Sequence, residues 1–369
     1  MTKPSPPANG RGEGQRATLR DVAARAGVSV STVSRVVTGA VAVDPTTAEK
    51  VRDAVAVLGY TPNLLARSFR RRVTHTIGLL VPDNSNPFFA ELARAIEDAG
   101  FAEGYSVVLC NSDLSAAKQA AYIDVLLAKQ VDGLILVSSG LIQHGAGQAD
   151  GDANRQADGQ AEVARIRAAG VPCVVIDRDL GETPVDQVLV DNRLGGALVG
   201  EHLVGLGHRR IACIVGPSDL TPSAGRVAGF RQALADRGLA VAPEALVRGD
   251  GRPEGGGGTA RDLLARGVAF TAVFAFNDQM AAGAIGALRR AGLRVPEDVS
   301  VVGFDDIPHA SATYPALTTV AQPIEEIGAA GVRLLLDRIA WPDAPWARIE
   351  LPTRLVVRES TGPPPVDDG

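Results

Sequence analysis

Hydroxyl side chains and one arginine are concentrated near the start of the chain, in the segment Gly27-Val28-Ser29-Val30-Ser31-Thr32-Val33-Ser34-Arg35. Serine and threonine hydroxyls bind phosphate oxygens, which fix the position of a protein on DNA but carry no sequence information. The Arg35 guanidinium can donate two parallel hydrogen bonds to guanine, a contact that contributes about 1–3 kcal/mol of discrimination between bases. Val30 offers an apolar surface that suits a thymine methyl group. This segment therefore has the chemistry of a DNA-binding surface.

A second set of polar and aromatic residues is spread through the rest of the chain, beside apolar runs. Carboxylates, amides and guanidinium groups can form paired hydrogen bonds with neighbouring hydroxyls, and an aromatic ring can stack on the C–H face of a sugar. The set comprises Asp83, Phe88, Phe89, Asp177, Arg178, Arg226, Asn277, Asp305 and Gln322. It suits a small polyhydroxyl ligand, and a purine or nucleoside is also compatible with it.

Three short helices are predicted to position the first set. Thr18-Leu19-Arg20-Asp21 is a capping box, in which a hydroxyl and an acid three residues later satisfy orphan amides at a helix start. Gly27 supplies the left-handed residue of a sharp turn, and Ser29 can cap a second helix. A third helix is predicted to start at Thr46 and to stop before Gly59.

The apolar faces of these helices agree with a helix-turn-helix. The inward-facing positions are Leu19, Val22, Ala23, Ala26, Val33, Val36, Val37, Val51, Ala54, Val55 and Leu58. Val30, Ser31, Ser34 and Arg35 then face away from the small core. A unit of this size leaves its recognition helix exposed when the three helices pack together.

From Thr76 onward, apolar runs alternate with helical segments, which predicts an α/β fold with parallel sheets covered on both faces. Strands are predicted at 77–81, 107–109, 134–137, 174–176, 211–215, 272–276 and 301–304. Helices are predicted near 87–99, 115–129, 161–169, 192–206, 223–237, 259–266, 278–291 and 324–340. Two such halves in tandem imply two doubly wound lobes. Because ligands bind beyond the carboxyl ends of parallel strands, two facing lobes form a ligand cleft.

The charge of the chain is divided unevenly along its length. Residues 1–75 carry 12 Lys/Arg and 5 Asp/Glu, a net charge of +7, whereas the remaining residues carry 25 and 37, a net charge of −12. A small basic domain joined to a large acidic one is typical of a protein in which only the small domain meets phosphate.

Other features argue against catalysis, cofactors and membranes. The five histidines (75, 144, 202, 208 and 309) lack metal-ligand spacing, and there is no nucleophile elbow. The run Gly255–Gly258 lacks a following Gly-Lys-Ser/Thr, so we expect a flexible loop and no phosphate-binding loop. Cys110, Cys173 and Cys213 lie in separate apolar runs and are expected to be buried, reduced thiols of a cytoplasmic protein. No apolar run is long enough to span a membrane.

The segments between the predicted domains are polar. Residues 1–16 are expected to be a disordered tail, 361–369 a C-terminal tail that is disordered from 363 to 369, and 140–160 an enlarged surface loop. Residues 63–75 join the two domains and include a basic, helix-capable stretch that is too short to be a stable helix in isolation.

The motifs Leu19-Arg20-Asp21-Val22-Ala23, Gly27-Val28-Ser29, Thr32-Val33-Ser34-Arg35-Val36 and Tyr60-Thr61-Pro62-Asn63 resemble the headpiece of the lactose/galactose repressor (LacI/GalR) family of bacterial transcription regulators. The resemblance extends to about residue 358. It implies a helix-turn-helix domain at 17–62, a hinge helix at 63–75 and a periplasmic-binding-protein-like core at 76–360. The N-lobe would comprise about 76–190 and 324–350, and the C-lobe 191–323 and 351–360, with crossovers near 190, 323 and 350.

The resemblance also implies roles for individual residues. Val30, Ser31 and Arg35 would reach base edges, and Ser29, Thr32, Ser34 and Asn63 phosphates. Phe69, where leucine is more usual in the family, would be the wedge that paired hinge helices insert into the minor groove. In the core, Arg226 matches the family's effector-binding arginine. Phe89 would stack on the effector, with Phe88 as the alternative, and His208 would be structural.

These patterns favour a repressor that binds a pseudopalindromic operator as a homodimer and is controlled by a sugar-like effector. The effector would change the angle between the lobes, and hence the pairing of the hinge helices. An effector that favours one state by about 1–3 kcal/mol changes DNA affinity 5–150-fold. A solute-binding transport protein would share the core, but it would need a signal peptide and has no use for Thr18–Tyr60. An enzyme would have to use the cleft carboxylates for acid–base work.

Overall fold

The computed structural model describes residues 17–38, 43–60, 73–137, 151–216 and 221–365, with only the backbone described at Thr38 and at 151–158. By its internal contacts the chain divides into two compact units, Met1–Thr74 and His75–Gly369. The predicted tail at 1–16, the DNA-binding candidates Asn63 and Phe69, and residues 140–150 of the predicted loop lie outside the described residues.

The first unit consists of the three predicted helices, α1 (Leu19–Ala26), α2 (Val30–Thr38) and α3 (Pro45–Leu58). The capping box at the start of α1 is present: Asp21 Oδ2 accepts a hydrogen bond from Thr18 N at 2.9 Å. Gly27 has a φ of 67° and turns the chain towards α2. Val22, Val33 and Val51, one from each helix, are fully buried together and hold the unit closed.

The predicted start of α3 was wrong. Asp44, not Thr46, caps this helix, because Asp44 Oδ2 accepts a hydrogen bond from Thr47 N at 3.0 Å. Pro45 occupies the first helical turn, where its missing N–H costs nothing and its fixed φ suits a helix. A proline also pushes the residue before it out of the helical region, so the cap falls on Asp44.

The second unit alternates strands and helices. The strands are β1 (Thr76–Val81), β2 (Ser106–Asn111), β3 (Gly133–Val137), β4 (Cys173–Ile176), β5 (Asp186–Val190), β6 (Ile211–Val215), β7 (Leu246–Arg248), β8 (Ala272–Ala275), β9 (Ser300–Val302), β10 (Thr319–Ala321), β11 (Arg348–Leu351) and β12 (Arg354–Val356). The helices are α4 (Pro87–Ala102), α5 (Ala116–Ala128), α6 (Gly151–Ala168), α7 (Asn192–Gly205), α8 (Thr221–Ala235), α9 (Pro253–Ala265), α10 (Asp278–Arg290) and α11 (Ile324–Ala340).

The strands form two parallel sheets, one in each lobe. The N-lobe sheet has the order β11-β5-β4-β3-β1-β2, and the C-lobe sheet has the order β7-β6-β8-β9. β10 and β12 pair antiparallel beside the C-lobe sheet. The chain passes between the lobes after β5, after β10 and after β11. The doubly wound α/β fold predicted from the sequence is therefore confirmed.

Strand β1 of the N-lobe shows why the sequence contains continuous apolar runs. Ile77, Leu79 and Val81 of β1 pack into one core cluster, whereas Leu80 packs into another with Ile123 and Leu126 of α5. Successive side chains of a strand point to opposite faces, so a strand covered on both faces needs apolar residues throughout.

The glycine run Gly255–Gly258 is not a loop, contrary to the prediction, but lies in α9. A Cβ at Gly256 would lie 2.2 Å from the carbonyl oxygen of Met280, and one at Gly283 would lie 1.9 Å from that of Pro253. The glycines let the backbones of α9 and α10 touch. Each glycine costs about 1 kcal/mol of helix propensity, but tertiary packing overrides this cost.

Three further expectations need correction. Residues 151–160 belong to α6, because that helix extends towards its N-terminus from a half anchored by buried Val163 and Ile166. The first residues of the predicted C-terminal tail belong to the C-lobe, because the carbonyl oxygen of Gly362 lies 2.9 Å from His208 Nε2. The short or partly polar strands β5, β7, β10, β11 and β12 were not predicted, since none combines length with a sustained apolar run.

Candidate functional site

The exposed face of α2 carries the residues predicted to meet DNA. Val30 has an exposed fraction of 42%, and Ser31 and Arg35 are also exposed, whereas Val33 of the same helix is fully buried. Thr32 and Ser34 are half-buried at the edges of this face. An apolar side chain, a hydroxyl and a guanidinium are thus presented together on one surface.

The start of α2 is a cluster of hydroxyls. Ser29 Oγ accepts a hydrogen bond from Thr32 N at 3.1 Å, so Ser29 caps the helix as predicted. The same oxygen lies 2.8 Å from Ser31 Oγ and 2.9 Å from Thr32 Oγ1. A helix N-terminus attracts anions because its amides and its dipole are positive there. This end of α2 is therefore suited to phosphate.

The second site is a cleft between the two lobes of the core, lined from both sides. The N-lobe contributes residues that follow β1, β2 and β4, and the C-lobe contributes residues that follow β7, β8 and β9 together with the start of α8. Seven predicted residues line it: Asp83, Phe88, Phe89, Asp177, Arg226, Asn277 and Asp305.

Arg226, in the second turn of α8, is the most heavily bonded side chain of the cleft. Its Nε donates to Asn192 Oδ1 at 2.8 Å, its Nη1 donates to the Phe276 carbonyl oxygen at 2.7 Å, and its Nη2 lies 3.4 Å from Asp305 Oδ1. The guanidinium carbon lies 3.6 Å from the centroid of the Phe304 ring. Burial lowers the pKa of Arg226, and the charge of Asp305 opposes this shift. The guanidinium is therefore fixed in position.

Two carboxylates flank Arg226, one from each lobe. Asp305 belongs to the C-lobe and accepts a hydrogen bond from Gln322 Nε2 at 2.7 Å. Asp177 belongs to the N-lobe, and its buried Oδ1 has no hydrogen-bond partner among the described residues. Burial raises the pKa of Asp177 to about 7 and that of Asp305 to about 6, although Arg226 lowers both. Both residues have a positive φ, 65° at Asp177 and 112° at Asp305. Non-glycine residues in this region are strained, and such strain concentrates at functional sites.

A third carboxylate, Asp278, lies behind the cleft wall at the start of α10. It accepts hydrogen bonds from Ile307 N at 2.9 Å and from the hydroxyl of Thr319. Burial, together with the nearby charge of Asp305, raises its pKa well above the usual value. Asp278 thus joins the end of β9 to β10, which leads into the second crossover.

The aromatic side chains of the cleft come from both lobes. Phe88 is buried in the N-lobe core, with 3% exposed, whereas Phe89 is half-buried and packs edge-on against it. Phe276 lines the opposite wall. Both residues line the cleft, and Phe89 is the more exposed of the two alternatives left open by the sequence.

An ion pair crosses the mouth of the cleft. Arg252 Nη2 lies 3.7 Å from Asp83 Oδ2. Asp83 is held by Ser85, whose hydroxyl donates to its Oδ1 at 2.6 Å. The backbone of Arg252 is held by Asp250, whose Oδ1 accepts from Arg252 N at 2.9 Å. The Asp83 carboxylate and the backbone of Arg252 are therefore each positioned by their own lobe.

Two predicted residues do not line the cleft. Arg178 is buried on the other side of its strand, with its guanidinium carbon 3.0 Å from the position that a Cβ on Gly159 of α6 would occupy. Asp177 has a φ of 65°, so the chain leaves the extended conformation there, and the next side chain, Arg178, packs against α6 and not into the cleft. Gln322 lies behind the wall and orients Asp305.

Other cleft residues were missed by the sequence reasoning. They are Pro82, Asn86, Leu114, Pro222, Asp250, Gly251, Arg252, Phe276 and Gln279. Asp250, Gly251 and Arg252 follow β7, a strand of three residues. Recognition of that short strand would have placed them at a strand end, where ligands bind.

A helix-turn-helix unit followed by a two-lobed α/β core with a cleft is the architecture of a ligand-responsive DNA-binding regulator. The sequence model described as bacterial regulatory proteins, lacI family, matches residues 18–63, and the periplasmic binding protein-like domain matches residues 201–361. The ribose operon repressor of Escherichia coli (strain K12) is 38% identical over 344 residues, 93% of this chain and 99% of the relative.

Solved structures agree with this match. The lac repressor dimer bound to operator and the anti-inducer ONPF has a TM-score of 0.82 and 32% identity, and it covers 94% of this chain and 100% of that chain. A LacI family transcriptional regulator from Enterococcus faecium with bound ribose has a TM-score of 0.66 and 34% identity, covering 78% and 99%.

The chain belongs to the lacI family of bacterial regulatory proteins. Like these relatives, it is a regulator of transcription and not an enzyme. Within the described residues, no helix is both long and apolar enough to cross a membrane.

Proposed function

We propose that this regulator is a cytoplasmic homodimeric repressor that binds a pseudopalindromic operator and responds to a sugar-like effector held between the lobes of its core. The observation that carries the DNA half of the proposal is the exposed face of α2. Val30, Ser31 and Arg35 can reach base edges from that face, and the hydroxyl-rich N-terminus of the helix can bind phosphate. A lac repressor dimer of the same fold binds operator.

The effector half of the proposal depends on the cleft. Asp83, Phe89, Asp177, Arg226, Asn277 and Asp305 offer carboxylates, an amide, a guanidinium and one aromatic face, which suit paired hydroxyls and the C–H face of a sugar. Arg226 orders this set because it is bonded to the crossover residue Asn192 as well as to Asp305. A relative of this fold holds ribose.

The crossovers supply a route between the two halves. Asn192 follows the first crossover, and Gln322, which bonds Asp305, immediately precedes the second. A ligand that engages Arg226 and Asp305 would therefore bias the angle between the lobes. An effector shifts DNA affinity only by its differential affinity for the two arrangements.

The test is selection of DNA from a random duplex pool by the full chain, with and without a small-molecule extract. A palindromic site retained without extract is expected, and it would make the effector an inducer. Retention only with extract would make it a corepressor. Failure of the folded protein to retain any site in either arm would overturn the proposed function.

Variants of two exposed arginines sharpen the DNA test. Arg35→Ala should lose the preference for one base in each half-site and weaken specific binding about 10- to 100-fold. Arg52→Ala, on the exposed side of α3, is the matched control and should keep the base preference. Equal effects of both variants would contradict base recognition by Arg35.

Arg226→Ala tests the separation of the two halves. The variant should lose the effector response while DNA affinity without effector stays close to that of the wild type, because Arg226 lies in the core cleft. A folded variant that loses DNA binding in the absence of effector would argue against this separation.

A further inference from the structure

We infer that the cleft selects an uncharged polyhydroxyl compound and rejects its phosphorylated counterpart. The inference rests on the proposed function, since it concerns the effector of that same cleft. It is carried by the hydrogen-bonding state of three side chains, Asp177, Arg226 and Asn277.

Asp177 has a carboxylate oxygen that lacks a hydrogen-bond donor among the described residues. Asp177 lines the cleft, and this oxygen, Oδ1, is buried. A buried acceptor without a partner carries a desolvation penalty that a donor from a ligand would remove. A hydroxyl can donate, whereas a phosphate dianion can only accept.

Arg226, the cationic group at the centre of the cleft, is largely committed to the protein. The three bonds of Arg226 to Asn192, Phe276 and Asp305 use its Nε and both terminal nitrogens. The rings of Phe304 and Phe276 lie 3.6 and 4.5 Å from its guanidinium carbon. Bidentate recognition of a phosphate needs two free parallel N–H groups directed at the ligand. Only one N–H on each terminal nitrogen of Arg226 is left for a ligand, and its charge is already paired with Asp305.

The amide of Asn277 is committed in the same way. Its Nδ2 donates to the Gly251 carbonyl oxygen at 2.9 Å, and its Oδ1 accepts from Met280 N at 2.9 Å at the start of α10. One amide N–H and the amide oxygen of Asn277 are therefore committed to the protein, and the remaining N–H carries no positive charge that would attract an anion.

The overall charge of the cleft also disfavours the binding of an anion. Its described lining contains four carboxylates, Asp83, Asp177, Asp250 and Asp305, but two guanidinium groups, Arg226 and Arg252. Arg252 lies at the mouth, is half exposed, and is paired with Asp83. An anion would thus enter a site in which negative charge is in excess and the central positive charge is already neutralised.

The test compares the binding of matched ligands to the full chain by calorimetry at pH 8. The panel is D-ribose with ribose 5-phosphate, D-glucose with glucose 6-phosphate and glucosamine, D-fructose with fructose 6-phosphate, and cellobiose. At least one uncharged member should bind, and its phosphate should bind at least tenfold more weakly.

Three results would overturn the inference. They are equal or tighter binding of a phosphorylated sugar, tighter binding of glucosamine than of glucose, and no binding by any uncharged member to protein that retains operator DNA. None of these affects the selection of DNA in the absence of ligand, so failure of the inference is distinguishable from failure of the proposed function.

Asp177→Asn tests the residue itself. The ligand that binds the wild type should bind this variant at least tenfold more weakly, and the ratio between the sugar and its phosphate should shrink, because an amide replaces the carboxylate. Asp262→Asn, which removes an exposed carboxylate of α9, is the matched control and should leave both values unchanged. An unchanged ratio in folded Asp177→Asn would exclude Asp177 as the discriminating group.

Discussion

Arg252 and Asp83 form an ion pair across the mouth of the cleft, with 3.7 Å between Nη2 and Oδ2, and the two residues belong to opposite lobes. Each is fixed by hydrogen bonds within its own lobe, to Asp250 and Ser85 respectively. The pair can form only when the lobes stand at about their present separation. It therefore reports and stabilises one lobe arrangement.

Removal of this ion pair should change effector affinity modestly. The Arg252 side chain is 52% exposed, and ion pairs of such exposure contribute about 0–1 kcal/mol. Arg252→Ala should thus change the dissociation constant of the effector less than about fivefold, and high salt should reduce the difference.

A double-mutant cycle with Asp83→Asn checks this assignment by calorimetry. If the two residues act as a pair, the double variant should bind the effector no more weakly than the weaker-binding single variant. Independent, additive effects would contradict a contact between the lobes at this point.

Effector affinity should increase with pH between about 5.5 and 8. Burial raises the pKa of Asp177 to about 7 and of Asp305 to about 6. Hydroxyls that donate to these groups favour the ionised forms and lower both pKa values in the complex, so binding releases protons in this range. Binding should be about tenfold weaker at pH 5.5 than at pH 8.

Calorimetry in buffers of different ionisation enthalpy measures the released protons, and a pH-independent dissociation constant would contradict the prediction. Asp177→Asn should flatten the dependence.

The stability of the C-lobe should decrease below about pH 6.5 because of His208. Its side chain is fully buried, with Nδ1 2.9 Å from Thr271 Oγ1 and Nε2 2.9 Å from the Gly362 carbonyl oxygen. Burial lowers the pKa of His208, and the nearby His202 lowers it further. The unfolded chain therefore binds a proton that the folded chain does not, and this contribution to stability is lost as pH falls from about 6.5 towards the folded pKa.

His208→Gln separates this effect from the titration of carboxylates. Denaturant unfolding of both proteins at pH 5.5 and 8 should show a smaller pH dependence in the variant, which cannot be protonated. A pH dependence identical to that of the wild type would exclude His208 as its source.

Gly229→Ala should destabilise the core and weaken effector binding. A Cβ at Gly229 would lie 1.8 Å from the carbonyl oxygen of Arg193, so α7 and α8 would have to separate. Overpacking of this kind costs about 1–3 kcal/mol, and Arg226 lies one turn earlier on α8. Gly205→Ala in α7 is the matched control, because a Cβ there meets nothing within 4 Å. Thermal unfolding and effector calorimetry compare the two, and equal stability would show that the helices can move apart freely.

Local patterns in the sequence were sufficient for much of this protein. The capping box at Thr18, the turn at Gly27 and the apolar faces of the helices define the helix-turn-helix, since these features involve residues only a few positions apart. The continuous apolar runs define parallel strands, and the residues that follow them, such as Asp83, Asp177, Asn277 and Asp305, line the cleft because strand ends meet there. Short strands such as β7 lack a continuous apolar run and were therefore not predicted, so Asp250 and Arg252, which follow β7, were missed as well.

Tertiary structure decided what depends on partners distant in sequence. The glycines of α9 predict a loop when taken alone, but Gly256 and Gly283 allow two helix backbones to touch, and that packing outweighs their poor helix propensity. Asp177 and Arg178 are adjacent in sequence, yet only the sheet determines which of them faces the ligand. The bonds of Arg226 to Asn192, Phe276 and Asp305 join residues between 34 and 79 positions apart. The chain by itself therefore determined which elements form and which residues could bind. Folding decided which hydrogen bonds those residues have already made, and hence which ligand they can still accept.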